Sequence, residues 1–323
     1  MAELSIADAI VAATAEEMRR DDHVFYMGTA PVAKLENEFG AQRSRQTPIA
    51  ENVMTGAAVG AALSGYRPIV MLSGFTFTAF DQLVNQAAKA AYMFGNQGSV
   101  PAVFRASFGN GTRKAAQHSQ TGYAMFAHAG GLMIATPSTP TDAKGLFKAA
   151  VRSNNPVLFY EEARLASLTE DVPDDLEPIP FGQARIRREG SDVTLVGLMQ
   201  TAHAAVEAAD RLAEGGVSAE VIDLRTVVPL DVETVRASVR KTGRLVVVDE
   251  SFPMCSVAAE LVTAITEDDE TFASLTAPVR RICNKPVPIP YSPVLEDFVL
   301  PSVDDIVAVA SGLLRGSVPH PVG

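Results

Sequence analysis

The feature that most constrains this chain is an alternation of short apolar runs with helical stretches, played out twice along its length. In the first half, Val24–Met27, Pro68–Leu72, Val100–Arg105, Leu132–Ala135 and Val157–Tyr160 read as buried strands. Helices are expected from Ser5 to Arg20, after Glu51, over Phe77–Met93 and over Thr141–Val151, with only a short helical turn around Leu35–Phe39. In the second half, strands at Val193–Leu198, Ala219–Asp223, Leu245–Asp249 and Val279–Cys283 alternate with helices at Thr201–Glu214, Asp231–Val239, Ser256–Thr266 and Val303–Leu314. Such alternation implies right-handed crossovers and a mostly parallel sheet. Residues 161–190 interrupt it with acids and with Pro173, Pro178 and Pro180. The expected fold is α/β with two doubly wound domains, 1–175 and 191–323, joined by a linker at 176–190.

A chain of 323 residues is long enough for two such cores. Its net charge of −11 argues against nucleic acid as a main partner and against an anionic membrane surface. No apolar run approaches the roughly 20 residues that span a bilayer, and the first residues lack a signal-peptide pattern. The two cysteines, Cys255 and Cys283, form neither a disulfide framework nor a metal cluster, so a reducing, cytoplasmic setting is expected, with both read as buried small hydrophobes or idle thiols.

Chemistry must then come from scattered groups. Glu51 is a lone carboxylate, with no other charged side chain between Arg45 and Arg67. Pro48 and Ile49 favour an extended approach to it, and small residues follow at helical spacing, with Gly56 and Gly60 four apart for close packing. Glu51 is either a first-turn acid favoured by the helix dipole or a buried functional carboxylate that needs a partner. His118 stands at a loop-to-helix transition after the glycine-rich Ser107–Thr112, where catalytic groups concentrate; a capping or solvent role is the alternative. His128, in an apolar helix end, reads as structural, and His23, His203 and His320 are scattered. Phe75 and Phe77 follow a strand at its carboxyl end, where open α/β sheets bind ligands, or else pack the core. No P-loop, dinucleotide fingerprint or nucleophile elbow is present.

Taken together, the segments resemble the beta subunit of the thiamine-diphosphate-dependent decarboxylating component of 2-oxoacid dehydrogenase complexes, the pyruvate, branched-chain and acetoin enzymes. The matching words are Thr47-Pro-Ile-Ala-Glu51, Gly65-Tyr-Arg-Pro-Ile69, Ala79-Phe-Asp-Gln-Leu-Val-Asn85, Ala116-Gln-His-Ser-Gln120, Pro137-Ser-Thr-Pro140, Asp223-Leu-Arg-Thr226, Pro229-Leu-Asp231 and Pro290-Tyr-Ser-Pro293. They run in one register over nearly the whole chain. The resemblance implies a transketolase-like pyrimidine-binding domain followed by a transketolase C-terminal-type domain.

It also implies roles. Glu51 matches the acid that drives the aminopyrimidine of thiamine diphosphate into its imino tautomer. Phe75, with Phe77 as the alternative, matches the ring stacked on the pyrimidine, and Ile49 lines the same pocket. His118 matches the histidine that orients substrate and helps the acyl group leave toward lipoyl-lysine. Ala102, Ala150, Val151, Ser153 and Asn155 match a loop that holds potassium in some relatives, mostly through carbonyl oxygens. The magnesium and diphosphate element, Gly-Asp-Gly with a later asparagine, is missing here; in the family it belongs to an alpha subunit. The expectation is an α2β2 heterotetramer, inactive as a single chain, that passes its acyl group to a lipoyl acyltransferase or a carrier protein.

One departure is the run Met27-Gly-Thr-Ala-Pro-Val32, where relatives carry acids, with a shortened segment before Glu51. A split transketolase subunit that moves a ketol unit is the alternative within thiamine chemistry, and a non-catalytic scaffold subunit is the alternative outside it.

Overall fold

Buried apolar runs became strands almost residue for residue where both faces are covered. The computed structural model describes residues 1–29 and 32–316; His320 and part of the Met27–Val32 run lie outside them. The chain divides into two units, one of residues 1–109 and 125–181, the other of residues 110–124 and 182 onward. The segment 110–124, which the sequence places within the first domain, thus clusters with the second unit.

The first unit holds strands β1 (Ala2–Ser5), β2 (Val24–Gly28), β3 (Ser44–Gln46), β4 (Arg67–Ser73), β5 (Val103–Phe108), β6 (Met133–Ala135), β7 (Val157–Glu162) and β8 (Thr169–Val172). Six of them run parallel in the order β6-β7-β5-β4-β2-β3. The chain leaves β2 toward β3 on one side but continues from β4 toward β5 on the other. The switch point therefore lies between β2 and β4, and the crevice outside their carboxyl ends is where such a sheet offers a ligand site. Helix Ile6–Arg20, capped by Ser5, packs beside helix Pro140–Arg152, and its buried Glu17 pairs with Arg152 at 2.7 Å.

Three expectations for this unit are corrected. The stretch Phe77–Met93 is no single α-helix: it runs as a 3₁₀ turn (Thr76–Ala79), a π-turn (Gln82–Ala87) and one α-turn (Ala90–Met93). A helix spans Ala33–Arg43, kinked at Gly40 with φ 70°, where only a short turn was expected. The proline-rich 161–190 segment is not a bare linker. It carries β8, which pairs antiparallel with β1, and β9 (Arg185–Arg188), which belongs to the second unit.

In that unit β10 (Val193–Gly197), β11 (Ala219–Asp223), β12 (Thr226–Val228), β13 (Leu245–Asp249) and β14 (Arg280–Cys283) follow. Its sheet has the order β14-β13-β10-β11-β9, parallel except for β9. Helices Gln200–Glu214 and Val303–Arg315 close one core against it, with Leu195, Leu212, Val221, Val246, Ile306 and Leu313 buried together. Here the switch point falls between β10 and β13, so Asp249 ends a strand beside it.

Candidate active site

Glu51 opens the helix Glu51–Leu63, which follows the carboxyl end of β3. Residue Ala50 at its cap supplies no side-chain hydrogen bond, so the first-turn N–H groups and the dipole favour an acid there. Its side chain is nonetheless buried, with the residue only 9 % exposed. Among the described residues, the hydrogen bond found on its carboxylate comes from the Thr78 hydroxyl at 3.4 Å, and that hydroxyl also lies 2.7 Å from the Phe75 carbonyl. A bond of 3.4 Å is weak. A desolvated carboxylate in that state is costly alone.

The 3₁₀ turn that presents Thr78 begins at the carboxyl end of β4. Ser73 there takes φ 53°, in the left-handed region, at a register shift between β4 and β5. Strain of this kind costs about 1–3 kcal/mol and gathers at functional sites. Phe75 caps the turn and is half-buried, whereas Phe77 stacks on Phe126 with centroids 5.8 Å apart, next to Phe80 at 5.4 Å from the same ring. Phe77 is thus engaged in packing. Ile49 stands 79 % exposed, and Val53 one helical turn on is 69 % exposed. Gly56 does serve close packing, against Gln82, but Gly60 has open space where a Cβ would be.

The loop expected to hold potassium presents a different arrangement. The carbonyls of Val151 and Ser153 accept from the guanidinium of Arg67 at 3.0 and 2.9 Å. Ala102 accepts from the Val157 amide at 2.9 Å, and Ala150 from the Ser153 amide at 3.2 Å. Asn155 is exposed, with its side-chain amide 3.7 Å from Met133 Sδ. The oxygens of Ala102, Ala150, Val151 and Ser153 each accept a hydrogen bond within the chain, the last two from the Arg67 guanidinium, so a potassium ion there would have to share them. Among the described residues, no group of three or more His, Cys, Asp and Glu forms a metal site.

His118 belongs to the second unit, so the structure assigns it and Glu51 to different units. It ends the short helix Ala115–His118 and is exposed. His128 is exposed as well, not the enclosed structural histidine expected. Cys255 is exposed, while Cys283 is partly buried; burial, helped by the Asp249 charge, pushes its thiol up to about 12, which leaves it inert. Three residues that sequence reasoning passed over surround the His118 segment: Asp249, Glu250 and Glu296, all buried. Two of them follow a run of buried valines at a strand end, and adjacent acids there are expensive enough to have marked a site.

Two parallel sheets with glutamate and phenylalanine at the switch point of the first define a transketolase-type protein of two domains. Residues 2–167 match the family described as "Transketolase, pyrimidine binding domain" and residues 182–306 that described as "Transketolase, C-terminal domain". The chain is 42% identical to acetoin:2,6-dichlorophenolindophenol oxidoreductase subunit beta of Bacillus subtilis (strain 168), over 96% of this chain and 97% of that one. It is 43% identical to pyruvate dehydrogenase E1 component subunit beta of Rickettsia felis, over 98% and 100%. Among solved structures, a split-gene transketolase described as an inactive beta4 tetramer shares the fold, with TM-score 0.79 at 21% identity over 97% and 98%. The chain belongs to the beta subunits of the thiamine-diphosphate-dependent E1 components of the pyruvate and acetoin dehydrogenase type.

Proposed function

We propose that this chain supplies the pyrimidine half of a thiamine diphosphate site in an α2β2 heterotetramer. That assembly decarboxylates pyruvate or a related 2-oxoacid, or cleaves acetoin, and passes the acyl unit to the lipoyl group of an acyltransferase. The observation that carries this reading is the buried Glu51 carboxylate near the first sheet's switch point, whose hydrogen bond among the described residues is the weak 3.4 Å one from Thr78.

When bound, thiamine diphosphate would supply a nucleophilic carbon for addition to a carbonyl. The residues of this chain prepare it. Glu51 would hold or give a proton at the pyrimidine ring, Phe75 would offer it an aromatic face, and Ile49 would complete the apolar wall. His118 orients substrate and moves a proton as the acyl group departs. Magnesium and the diphosphate belong to the alpha subunit, in a cytoplasmic complex. No helix among the described residues is long and apolar enough to cross a membrane.

The test is co-expression with an alpha chain, followed by dye reduction driven by pyruvate, branched-chain 2-oxoacids or acetoin, with and without thiamine diphosphate and magnesium. The expected result is cofactor-dependent turnover by the pair and by neither chain alone. Turnover by the isolated beta chain would overturn the shared site. Silence from an assembled, cofactor-loaded pair would overturn the oxoacid reading in favour of sugar-phosphate donors.

A further inference from the structure

The segment 110–123, which carries His118, is tied to the second unit on both sides of that residue, and the ties converge on three buried acids. Before His118, the Glu296 carboxylate accepts from the Gly111 amide at 2.8 Å, the Arg113 amide at 3.1 Å and the Arg113 guanidinium at 2.7 Å. The Asn110 amide donates to Glu250 at 3.2 Å. After His118, the Thr121 hydroxyl donates to the Glu250 carbonyl at 2.8 Å, and the Tyr123 hydroxyl to Asp249 at 2.5 Å. Asp249 is itself fixed by the amides of Ser251 and Ala258, each at 3.1 Å.

Between these ties the backbone is not relaxed. Arg113 and Ala115 both take φ near +60°, at 61° and 62°, a conformation that side chains with a Cβ adopt only when their surroundings impose it. A loop free to choose would leave it. Fully buried carboxylates bonded to backbone amides provide that imposition, because charge-assisted bonds in a dry setting are the strong ones.

We propose that Tyr123, Asp249 and Glu296 are positioning residues for His118: they hold its loop in a strained conformation that fixes where the imidazole stands. This rests on the reading of His118 as an active-site group. Misplacement of a catalytic group by even about 1 Å costs on the order of 100-fold, so anchors that touch no substrate still govern the rate.

Tyr123→Phe is the cleanest probe. It removes one hydroxyl, keeps the ring, and leaves Asp249 with two amide donors. In the full-length chain, hydrogen exchange of amides 111–121 is expected to rise about tenfold, with the remaining amides of the second unit unchanged. In the α–β complex, kcat is expected to fall about tenfold with KM nearly unmoved, and the variant should cost nothing further in a His118→Ala background. Unchanged exchange, or an equal loss in both backgrounds, overturns the positioning role. Full turnover by His118→Ala overturns the functional reading of His118 and the positioning role with it; unchanged exchange overturns the latter alone. Should Tyr123→Phe not assemble, Thr121→Val, which deletes the bond to the Glu250 carbonyl, carries the same two measurements.

Discussion

The guanidinium of Arg67 lies 3.0 Å from the carbonyl oxygen of Val151 and 2.9 Å from that of Ser153, with its other nitrogen 2.7 Å from the Asn154 side chain. A fixed positive charge therefore sits where a monovalent cation would draw on the same oxygens. Two unit charges 4 Å apart repel by about 4 kcal/mol near a protein surface. Replacing potassium by sodium or choline at constant ionic strength should leave both activity and melting temperature unchanged. A melting temperature that climbs specifically with potassium would show that the carbonyls are shared after all.

The role of Glu51 is tested by Glu51→Gln in the assembled complex. The amide keeps the size and the hydrogen-bonding oxygen facing Thr78 but can neither give up nor receive the proton. Positioned acid–base groups are worth about 10²–10⁴-fold, so kcat should drop by that order while thermal unfolding is held. A scaffold subunit would be indifferent to the change, and steady-state rates that match the wild type would establish one.

Much of this architecture is legible in the residues, for reasons that differ by element. Ala219–Asp223 and Leu245–Asp249 were readable to the residue because strands covered on both faces are continuous apolar runs. Helix starts were readable at Ser5, Asp231 and Ser256 because each side chain accepts from an amide three residues on. The broken helix at Thr76–Met93 was not: over six residues an apolar pattern fits a π-turn as well as an α-helix. Strands β1 and β8 are four residues each and carry Glu3, Glu170 and Asp171, so neither stands out as an apolar run and each is a strand through the other. At the site, the words around Glu51 and His118 were visible, but Asp249, Glu296 and Tyr123 were not. Their importance lies in bonds between residues far apart in sequence, and the Arg67 bonds are likewise made to backbone oxygens, whose partners side-chain identity does not reveal.

One packing point within the first unit turns on Gly131. Its φ is +93°, and a Cβ there would lie 2.2 Å from the Ala88 carbonyl oxygen, beside the turn that Lys89 secures through the Gly130 carbonyl at 2.6 Å. Gly131→Ala combines left-handed strain of about 1–2 kcal/mol with overpacking of about 1–3 kcal/mol. Gly216, with φ +79° but nothing within 4 Å, isolates the first of these. Urea titration should show Gly131→Ala destabilised by both contributions and Gly216→Ala by strain alone; equal shifts would mean that the 88–89 turn yields freely.

A charge effect on stability is expected at Asp268, which caps the helix Asp269–Ser274. Its carboxylate accepts from the Thr271 hydroxyl at 2.5 Å, the Thr271 amide at 2.9 Å and the Arg240 guanidinium at 2.9 Å. Those bonds, Thr271 foremost and then Arg240, hold its pKa well below the ordinary 3.8. A carboxyl with a depressed folded-state pKa adds stability that is present above the unfolded value and is lost as pH falls through the folded one. Asp268→Asn keeps a capping oxygen but removes the charge. Its melting temperature should therefore lie below the wild type at neutral pH, and the gap should narrow as pH drops below about 3.8 toward the folded-state value. A gap that stays constant down the acid limb would mean that cap geometry, rather than the ionised carboxylate beside Arg240, carries the contribution.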